Sequence, residues 1–305
     1  MHMDSGKMRY LLAAALATLA CAAPGRAQAY DPATMDRPPP RDTAAPPSIE
    51  ELSFTSGGAR MNGLMYVAEG RGPHPVVILL HGYPGNERNL DLAQAIRRAG
   101  ADVLFFDYRG SWGSGGTFSF AGAQEDVAAA IRFVRDPASV AKYRIDPRRV
   151  ALLGHSMGGW LAMLGTAADT SISCAGAIEL GDMAQIGVDM SRSAAADSEF
   201  TRYTTWLTEP GAPLHASAAD LVASLKANGS RWTVAANAPR LAGRTLLLLD
   251  NDHNPSHAAT AAALRQAGAH LTADVWHTDH SFSDRRIQLA RAVVRWLGTA
   301  CGYTR

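Results

Sequence analysis

Behind its first fifty residues the chain alternates short unbroken apolar runs with stretches whose apolar positions recur every three or four residues. Val76–Leu80, Val103–Phe106, Val150–Leu153, Ala175–Leu180 and Thr245–Leu249 are the runs. Each has the length of a strand buried on both faces. Leu90–Ala99 places Leu92, Ala93 and Ile96 on one helical face and stops at Gly100, the residue type that most readily follows a helix end. Val127, Ala130, Ile131 and Val134 mark a second amphipathic helix, and Ile287, Ala290, Val294 and Leu297 a closing one. Thr272–Trp276 adds a strand, and Ile49–Thr55 and Met61–Ala68 flank the turn Ser56-Gly57-Gly58 as a β-hairpin. Strands and helices in this order predict βαβ crossovers, hence an α/β fold with a mostly parallel central sheet and helices on both faces. No internal repeat interrupts the pattern.

The rhythm breaks once, between Asp182 and Arg244, where two helices are predicted but no strand. Phe200, Tyr203, Trp206 and Trp232 are scattered through the segment. An insertion at a strand end crowns the sheet, so 182–244 is expected to be a helical cap over a substrate crevice.

The ends of the chain have a different texture. Lys7 and Arg9 precede the apolar run Leu11–Ala23, about 20 Å long as a helix and too short for a hydrocarbon core of about 30 Å. Ala27-Gln28-Ala29 then offers a small-x-small cleavage site. Residues 1–29 are thus expected to be a secretory signal peptide, with the mature protein periplasmic or secreted and not stably inserted in a membrane. A lipoprotein reading through Cys21 fits less well, because Thr18-Leu19-Ala20 departs from the lipidation pattern. Tyr30–Pro47 holds six prolines, so 30–48 is expected to be an extended, mobile leader, and 49–305 the folded domain.

Composition narrows the partners. The chain has 305 residues, 47% of them hydrophobic, with 29 Lys and Arg against 28 Asp and Glu. That apolar content excludes a disordered chain, and the even charge without a basic stripe argues against nucleic acid as a partner. Three cysteines are too few for a disulfide scaffold or a Cys-rich zinc module. After cleavage Cys174 and Cys301 remain, and an oxidising compartment would allow them to pair.

The strongest chemical signal is Gly154-His155-Ser156-Met157-Gly158-Gly159, directly after the run Val150–Leu153. A strand entering a helix through G-x-S-x-G turns sharply and pushes the serine out over the sheet edge; the glycines avoid collision with neighbouring backbone. The Met157 N–H would then point at a developing oxyanion. His81-Gly82-Tyr83-Pro84-Gly85 follows another buried strand and could supply the second donor, the N–H of Tyr83, with His81 holding the loop.

With these motifs the chain resembles the α/β-hydrolase superfamily, and more closely the secreted dienelactone-hydrolase-like and prolyl-oligopeptidase-like serine hydrolases. Asp107-Tyr108-Arg109-Gly110-Ser111 with Gly113–Gly116, Asp146-Pro147-Arg148-Arg149-Val150 and His280-Ser281-Phe282 extend the resemblance from Val76 to the C-terminus. It implies an α/β-hydrolase fold and a triad in the order serine, acid, histidine. Ser156 is then the nucleophile and His280, just before the last helix, the base, with His277 as competitor. The acid is expected after Thr245–Leu249, in Asp250-Asn251-Asp252-His253-Asn254-Pro255. Asp252 fits the family's spacing to a proline, one residue short; Asp250 and Asp182 are the alternatives. Asp107 and Arg109 are expected to pin a loop. Trp112, Phe118 and Phe120 are candidates either for an acyl pocket or for packing.

The expected activity is an exported serine hydrolase that cleaves carboxylic esters through an acyl-enzyme, acting on a small-molecule ester or a short peptide and needing no cofactor. A large propeller domain, usual in peptide-cutting relatives, has no room here, which favours esters. Two further readings compete. His253 and His257, four apart near Asp252, His277 and His280, could share a metal, but the H-E-x-x-H pattern is lacking and the serine elbow would be left unexplained. A non-catalytic binding protein on the same scaffold is the other.

Overall fold

The computed structural model describes residues 42–303. The predicted signal peptide and most of the proline-rich leader lie outside the described residues. Where the leader enters them it is anchored rather than loose. The Asp42 carboxylate accepts the N–H groups of Ala44 and Ala45. The Ala45 carbonyl accepts from Gly70 N–H at 2.9 Å, and that of Pro46 from Arg144 at 3.2 Å.

Among the described residues, eight strands form one sheet. β1 (Ser48–Ser56) and β2 (Ala59–Val67) make the predicted hairpin, and β2 pairs antiparallel with β4 (Asp102–Phe106). From β4 onward all pairings are parallel, through β3 (His74–Leu80), β5 (Ile145–His155), β6 (Cys174–Ile178), β7 (Thr245–Asn251) and β8 (His270–Trp276). The order β1-β2-β4-β3-β5-β6-β7-β8 sends the chain from β3 outward in one direction to β4 and in the other to β5. Such a reversal opens a crevice at the carboxyl ends of the strands on either side of it. The segments that follow β3 and β5 are His81–Asn89 and the turn at Ser156.

Every residue of β3 is buried, as an unbroken apolar run requires. Val76, Ile78 and Leu80 enter one core and Val77 and Leu79 the other, the two-residue alternation of a strand covered on both sides. Helices α1 (Leu90–Arg98) and α10 (Arg286–Thr299) cover one face. The other is covered by α2 (Phe120–Arg135), α3 (Pro137–Tyr143), α4 (Met157–Ala168) and α9 (His257–Gln266). Ser119 caps α2 by accepting the Gly122 N–H at 2.9 Å.

Between β6 and β7 the chain forms four helices where two were expected: α5 (Met183–Met190), α6 (Ala194–Leu207), α7 (Ala218–Trp232) and α8 (Val234–Asn237). A 3-10 turn follows at Ala238–Leu241. Their apolar faces, including Phe200, Leu207, Leu221 and Leu225, join the core over α4. Fully buried Trp160 of α4 donates its indole N–H to the Trp232 carbonyl at 2.8 Å and ties the insertion to the sheet layer. Cys174, opening β6, is disulfide-bonded to Cys301 beyond α10, with Cα atoms 5.8 Å apart. Among the described residues no helix is long and apolar enough to cross a membrane.

Candidate active site

Ser156 sits between β5 and α4 with φ +56° and ψ −123°, a region that non-glycine residues enter only when their surroundings hold them there. Its N–H donates to the Ile178 carbonyl at 3.0 Å, and the Ser156 carbonyl starts α4 by accepting from Gly159. A Cβ on Gly158 would run into the Leu80 carbonyl and one on Gly154 into the Gly158 backbone, so the elbow needs both glycines. Met157 is the first residue of α4. Its N–H has no partner within the helix and is available to an anion.

Two other glycines press on the serine. A Cβ on Gly82 would lie 3.0 Å from the Ser156 Cβ, and one on Gly181 would lie 2.9 Å from its Oγ and 3.1 Å from the Met157 nitrogen. Backbone therefore approaches the hydroxyl from the segments after both β3 and β6. His81 behaves as expected of a loop anchor. Its Nδ1 meets the Gly82 carbonyl at 2.8 Å, and Tyr108 Oη donates to its backbone carbonyl at 3.1 Å. Burial pushes the His81 pKa down to about 4, so the ring is neutral at pH 7.

Ser156 opens on a cavity of about 400 Å³ lined by Gly82–Glu87, His155, Tyr203, His280 and Ser281. Ser156, Tyr83 and His280 thus share one space, with Met157 beside it. His280 is held from behind by two groups. His155 Nε2 lies 2.8 Å from the His280 carbonyl, and burial lowers the His155 pKa to about 4. Nδ1 of His280 lies 3.6 Å from Oε1 of Glu179, slightly longer than a hydrogen bond and of the kind that can tighten when substrate binds. Glu179 follows β6 with φ +49°, is buried, donates its N–H to the Leu249 carbonyl at 2.7 Å, and accepts the Asn251 N–H on Oε2 at 2.6 Å.

Asp252, expected to orient His280, is not brought to it. β7 ends at Asn251, and the Asp252 N–H extends the pairing with β8 by donating to the Trp276 carbonyl at 3.0 Å. That puts its carboxylate at the exposed β8 side, where Oδ2 accepts from His277 Nδ1 at 2.6 Å. The other two candidate acids are also engaged elsewhere. Buried Asp250 accepts the Leu180 N–H at 2.7 Å and meets His257 Nδ1 at 2.6 Å. Asp182 caps α5, accepting from Ala184 and Gln185, and takes the Val234 N–H at 2.8 Å. The carboxylate that the structure places behind His280 is that of Glu179, which the sequence reading did not single out. The signal was present: an acid in the otherwise apolar run Ala175–Leu180, hidden by taking the strand two residues too far.

Arg109 pins its loop through buried Asp126, with Nε 2.6 Å from Oδ1. Phe118 and Phe120 pack against Tyr83, with ring centroids 5.9 and 5.4 Å away, rather than lining the cavity. Trp112 donates its indole N–H to the Pro84 carbonyl at 2.7 Å and so supports the Tyr83 loop. The insertion contributes to the cavity wall instead: Tyr203 of α6 lines it, and Tyr83 Oη is 3.3 Å from Thr204 Oγ1.

A mostly parallel sheet with a serine elbow at its carboxyl edge, facing a histidine from the last loop, defines the class. The profile of the alpha/beta hydrolase family matches residues 77–292, and the chain belongs to that family. Among curated relatives it is 32% identical to the protein YfhR of Salmonella typhi over 167 residues, 52% of each chain. It is 30% identical to the protein MT2364 of Mycobacterium tuberculosis over 126 residues, 41% of this chain and 43% of that one. The chain spans about half the length of the curated relatives it matches, or less. Among solved structures it resembles the Pyrococcus furiosus esterase PF2001, with TM-score 0.59 and 17% identity over 85% of this chain and 96% of the other. It also resembles EstE1, a thermostable carboxylesterase from a metagenomic library, with TM-score 0.54 and 16% identity over 87% of this chain and 92% of the other. At such identities the likeness is one of fold.

Proposed function

We propose that the protein is an exported serine hydrolase that cleaves carboxylic esters through an acyl-enzyme, with Ser156, His280 and Glu179 as its triad. The observation that carries this reading is the placement of strained Ser156 and His280 on one cavity, with the Glu179 carboxylate behind His280 Nδ1. Ser156 Oγ attacks the ester carbonyl while His280 accepts its proton. The carbonyl oxygen, now negative, is held by the N–H groups of Met157 and Tyr83. His280 then returns the proton to the departing alcohol. Water, activated by the same imidazole, attacks the acyl-enzyme and releases the acid. Glu179 fixes the tautomer that donates from Nδ1 and stabilises the imidazolium between the two transfers.

Within the family we place the chain near the dienelactone-hydrolase-like and prolyl-oligopeptidase-like branch, on the motifs His81–Gly85 and Asp146–Val150, with the acid after β6 as its departure. Export is supported by the signal-like N-terminus and by the Cys174–Cys301 bond, which persists in oxidising compartments. The esterase reading is supported by the esterases among the structural neighbours and by a cavity sized for a small substrate.

Turnover of an acyl ester series beside dipeptide amides, with fluorophosphonate labelling of Ser156, tests the proposal. Esters should be the better substrates, and Ser156→Ala should lose labelling and about 10⁴–10⁶ in kcat. Glu179→Gln should lose about 10³–10⁴ in kcat, whereas Asp252→Asn should stay within about twofold. An unlabelled, folded wild-type protein would return the chain to the binding-protein reading. The reverse ranking of the two acid variants would restore Asp252 to the triad.

A further inference from the structure

Asp252, His253 and His277 form a second group of chemistry-bearing side chains, none of which lines the Ser156 cavity. We propose that they make a surface site for a divalent cation of the zinc type, separate from the catalytic centre and independent of the esterase reading. One donor atom from each of the three lies within 4.8 Å of the other two. Asp252 Oδ2 is 2.6 Å from His277 Nδ1, and Asp252 Oδ1 is 3.5 Å from His253 Nε2. Around a tetrahedral ion with bonds of about 2.0–2.1 Å, neighbouring donors stand about 3.3 Å apart. Side-chain adjustments of about an ångström therefore suffice.

The backbone beneath the site is already fixed. β7 and β8 pair in register up to Asn251 opposite Trp276, and the Asp252 N–H continues onto the Trp276 carbonyl. Asp252 and His277 thus emerge side by side from adjacent parallel strands. His253 is held next to them because its N–H donates to Asn251 Oδ1 at 2.8 Å. The side chains themselves are open to solvent, with His253 and His277 77% and 85% exposed, so they can adjust around an ion. Two imidazoles and one carboxylate are a borderline donor set that suits Zn²⁺, with water completing the coordination, and disfavours Mg²⁺ or Ca²⁺, which prefer oxygen ligands throughout. On binding, the ion takes the place of the Nδ1 proton that now lies against the carboxylate; that proton passes to water, and His277 coordinates through Nδ1 with its one remaining ring proton on Nε2.

Position gives the site a consequence. His277 is three residues before His280, and Asp279, between them, accepts the N–H groups of Ser281 and Ser283 in the same turn. An ion bridging the ends of β7 and β8 would clamp the start of the loop that carries His280.

Equilibrium dialysis of the metal-stripped full chain against Zn²⁺ alone is the test, with Ser156→Ala, His280→Ala, His253→Ala and His277→Ala in parallel. One equivalent should bind to the wild-type protein and to Ser156→Ala and His280→Ala with equal affinity. Affinity should fall at least about tenfold in His277→Ala and His253→Ala, as expected for loss of a ligand. Co²⁺ in place of Zn²⁺ should show visible tetrahedral bands in the wild type that vanish in His277→Ala. Absence of stoichiometric binding, or equal affinity in His277→Ala, overturns the proposal. So does loss of binding in His280→Ala, which would put the ion in the catalytic cavity instead. Unchanged thermal unfolding of the His253 and His277 variants would confirm that any lost affinity reflects a lost ligand.

Discussion

Glu179 and Gly181 show how much the first three residues after a strand can decide. Both flank Leu180 just beyond the end of β6, and the serine elbow is tied to that strand end through Ser156 N–H and the Ile178 carbonyl. Three residues therefore put a carboxylate behind His280 and bare backbone against the Ser156 hydroxyl. A methyl group at Gly181 would sit 2.9 Å from Ser156 Oγ, closer than real Cβ contacts come. The fold can absorb this only by turning the hydroxyl or moving the loop. Gly181→Ala should fold with a near wild-type Tm and lose about 10–100-fold in kcat/KM, since displacements near an ångström cost that much at a reacting atom. Full activity in a correctly folded variant would remove Gly181 from the approach to Ser156. Ser156 and His280 could be singled out in the sequence because each sits at a recognisable strand or helix boundary. It did not announce Glu179, because an acid at a strand end looks like part of the strand until the next strand's N–H groups are placed around it.

At the level of elements, one buried acid links the two ends of the insertion between β6 and β7. Asp182 caps α5 through Oδ1 and reaches the Val234 N–H of α8 through Oδ2, so a single carboxylate joins the first and last helices of the segment. Burial raises its pKa to about 6 against three N–H donors that pull it down. Asp182→Ala should destabilise the protein by about 2–4 kcal/mol, from a lost cap and an unpaired buried N–H. Its chemical unfolding midpoint should drop while Ser156 still labels in the folded fraction; an unchanged midpoint would mean that the helices hold without it. Whereas α3 and α9 had no period of their own to announce them, β3 to β7 and helices α1, α2 and α10 were readable from periodicity because each buries a continuous run or a set of recurring apolar positions. The insertion was read as two helices rather than four for the opposite reason. α6 buries only Phe200, Thr204 and Leu207 and α7 only Leu221, Val222, Leu225 and Gly229, and α8 is a single turn recognisable by its Thr233 cap rather than by any apolar period. The leader was misjudged at its end for a similar cause, since Ala45 and Pro46 are fixed by Gly70 and Arg144, remote partners that no local pattern records.

At the scale of the whole molecule, two features bind distant parts of the chain and can be read in global stability. The Cys174–Cys301 bond closes a sequence separation of 127 residues between a central strand and the C-terminal end. Replacing both cysteines by alanine should cost about 2–4 kcal/mol, seen as a lower Tm that reductant no longer changes. The second feature is the balance of buried titrating groups. Asp102 is fully buried, accepts the Ala68 N–H on Oδ1 at 2.7 Å, and leaves Oδ2 without a hydrogen-bond partner. Burial raises its pKa from 3.8 to about 7, with the Arg144 charge opposing only in part. The folded protein therefore holds a proton there that the unfolded chain releases, so this group's contribution is complete below 3.8 and is lost as pH rises towards 7. Asp107 and Asp182, each raised to about 6, act in the same direction. His81 and His155 act in the opposite one. Their pKa values fall from 6.5 to about 4, so they favour the fold above 6.5 and weaken it as pH drops towards 4. Between about pH 4 and 6 the two sets offset each other, and from 6.5 to 7 Asp102 is left without an opposing histidine. Asp102→Asn removes one member of the first set while keeping an acceptor for Ala68. The Tm of this variant relative to the wild type should climb steadily as pH is raised from 5 to 7.5. A difference that stays constant across that range would show that Asp102 is already ionised in the folded protein.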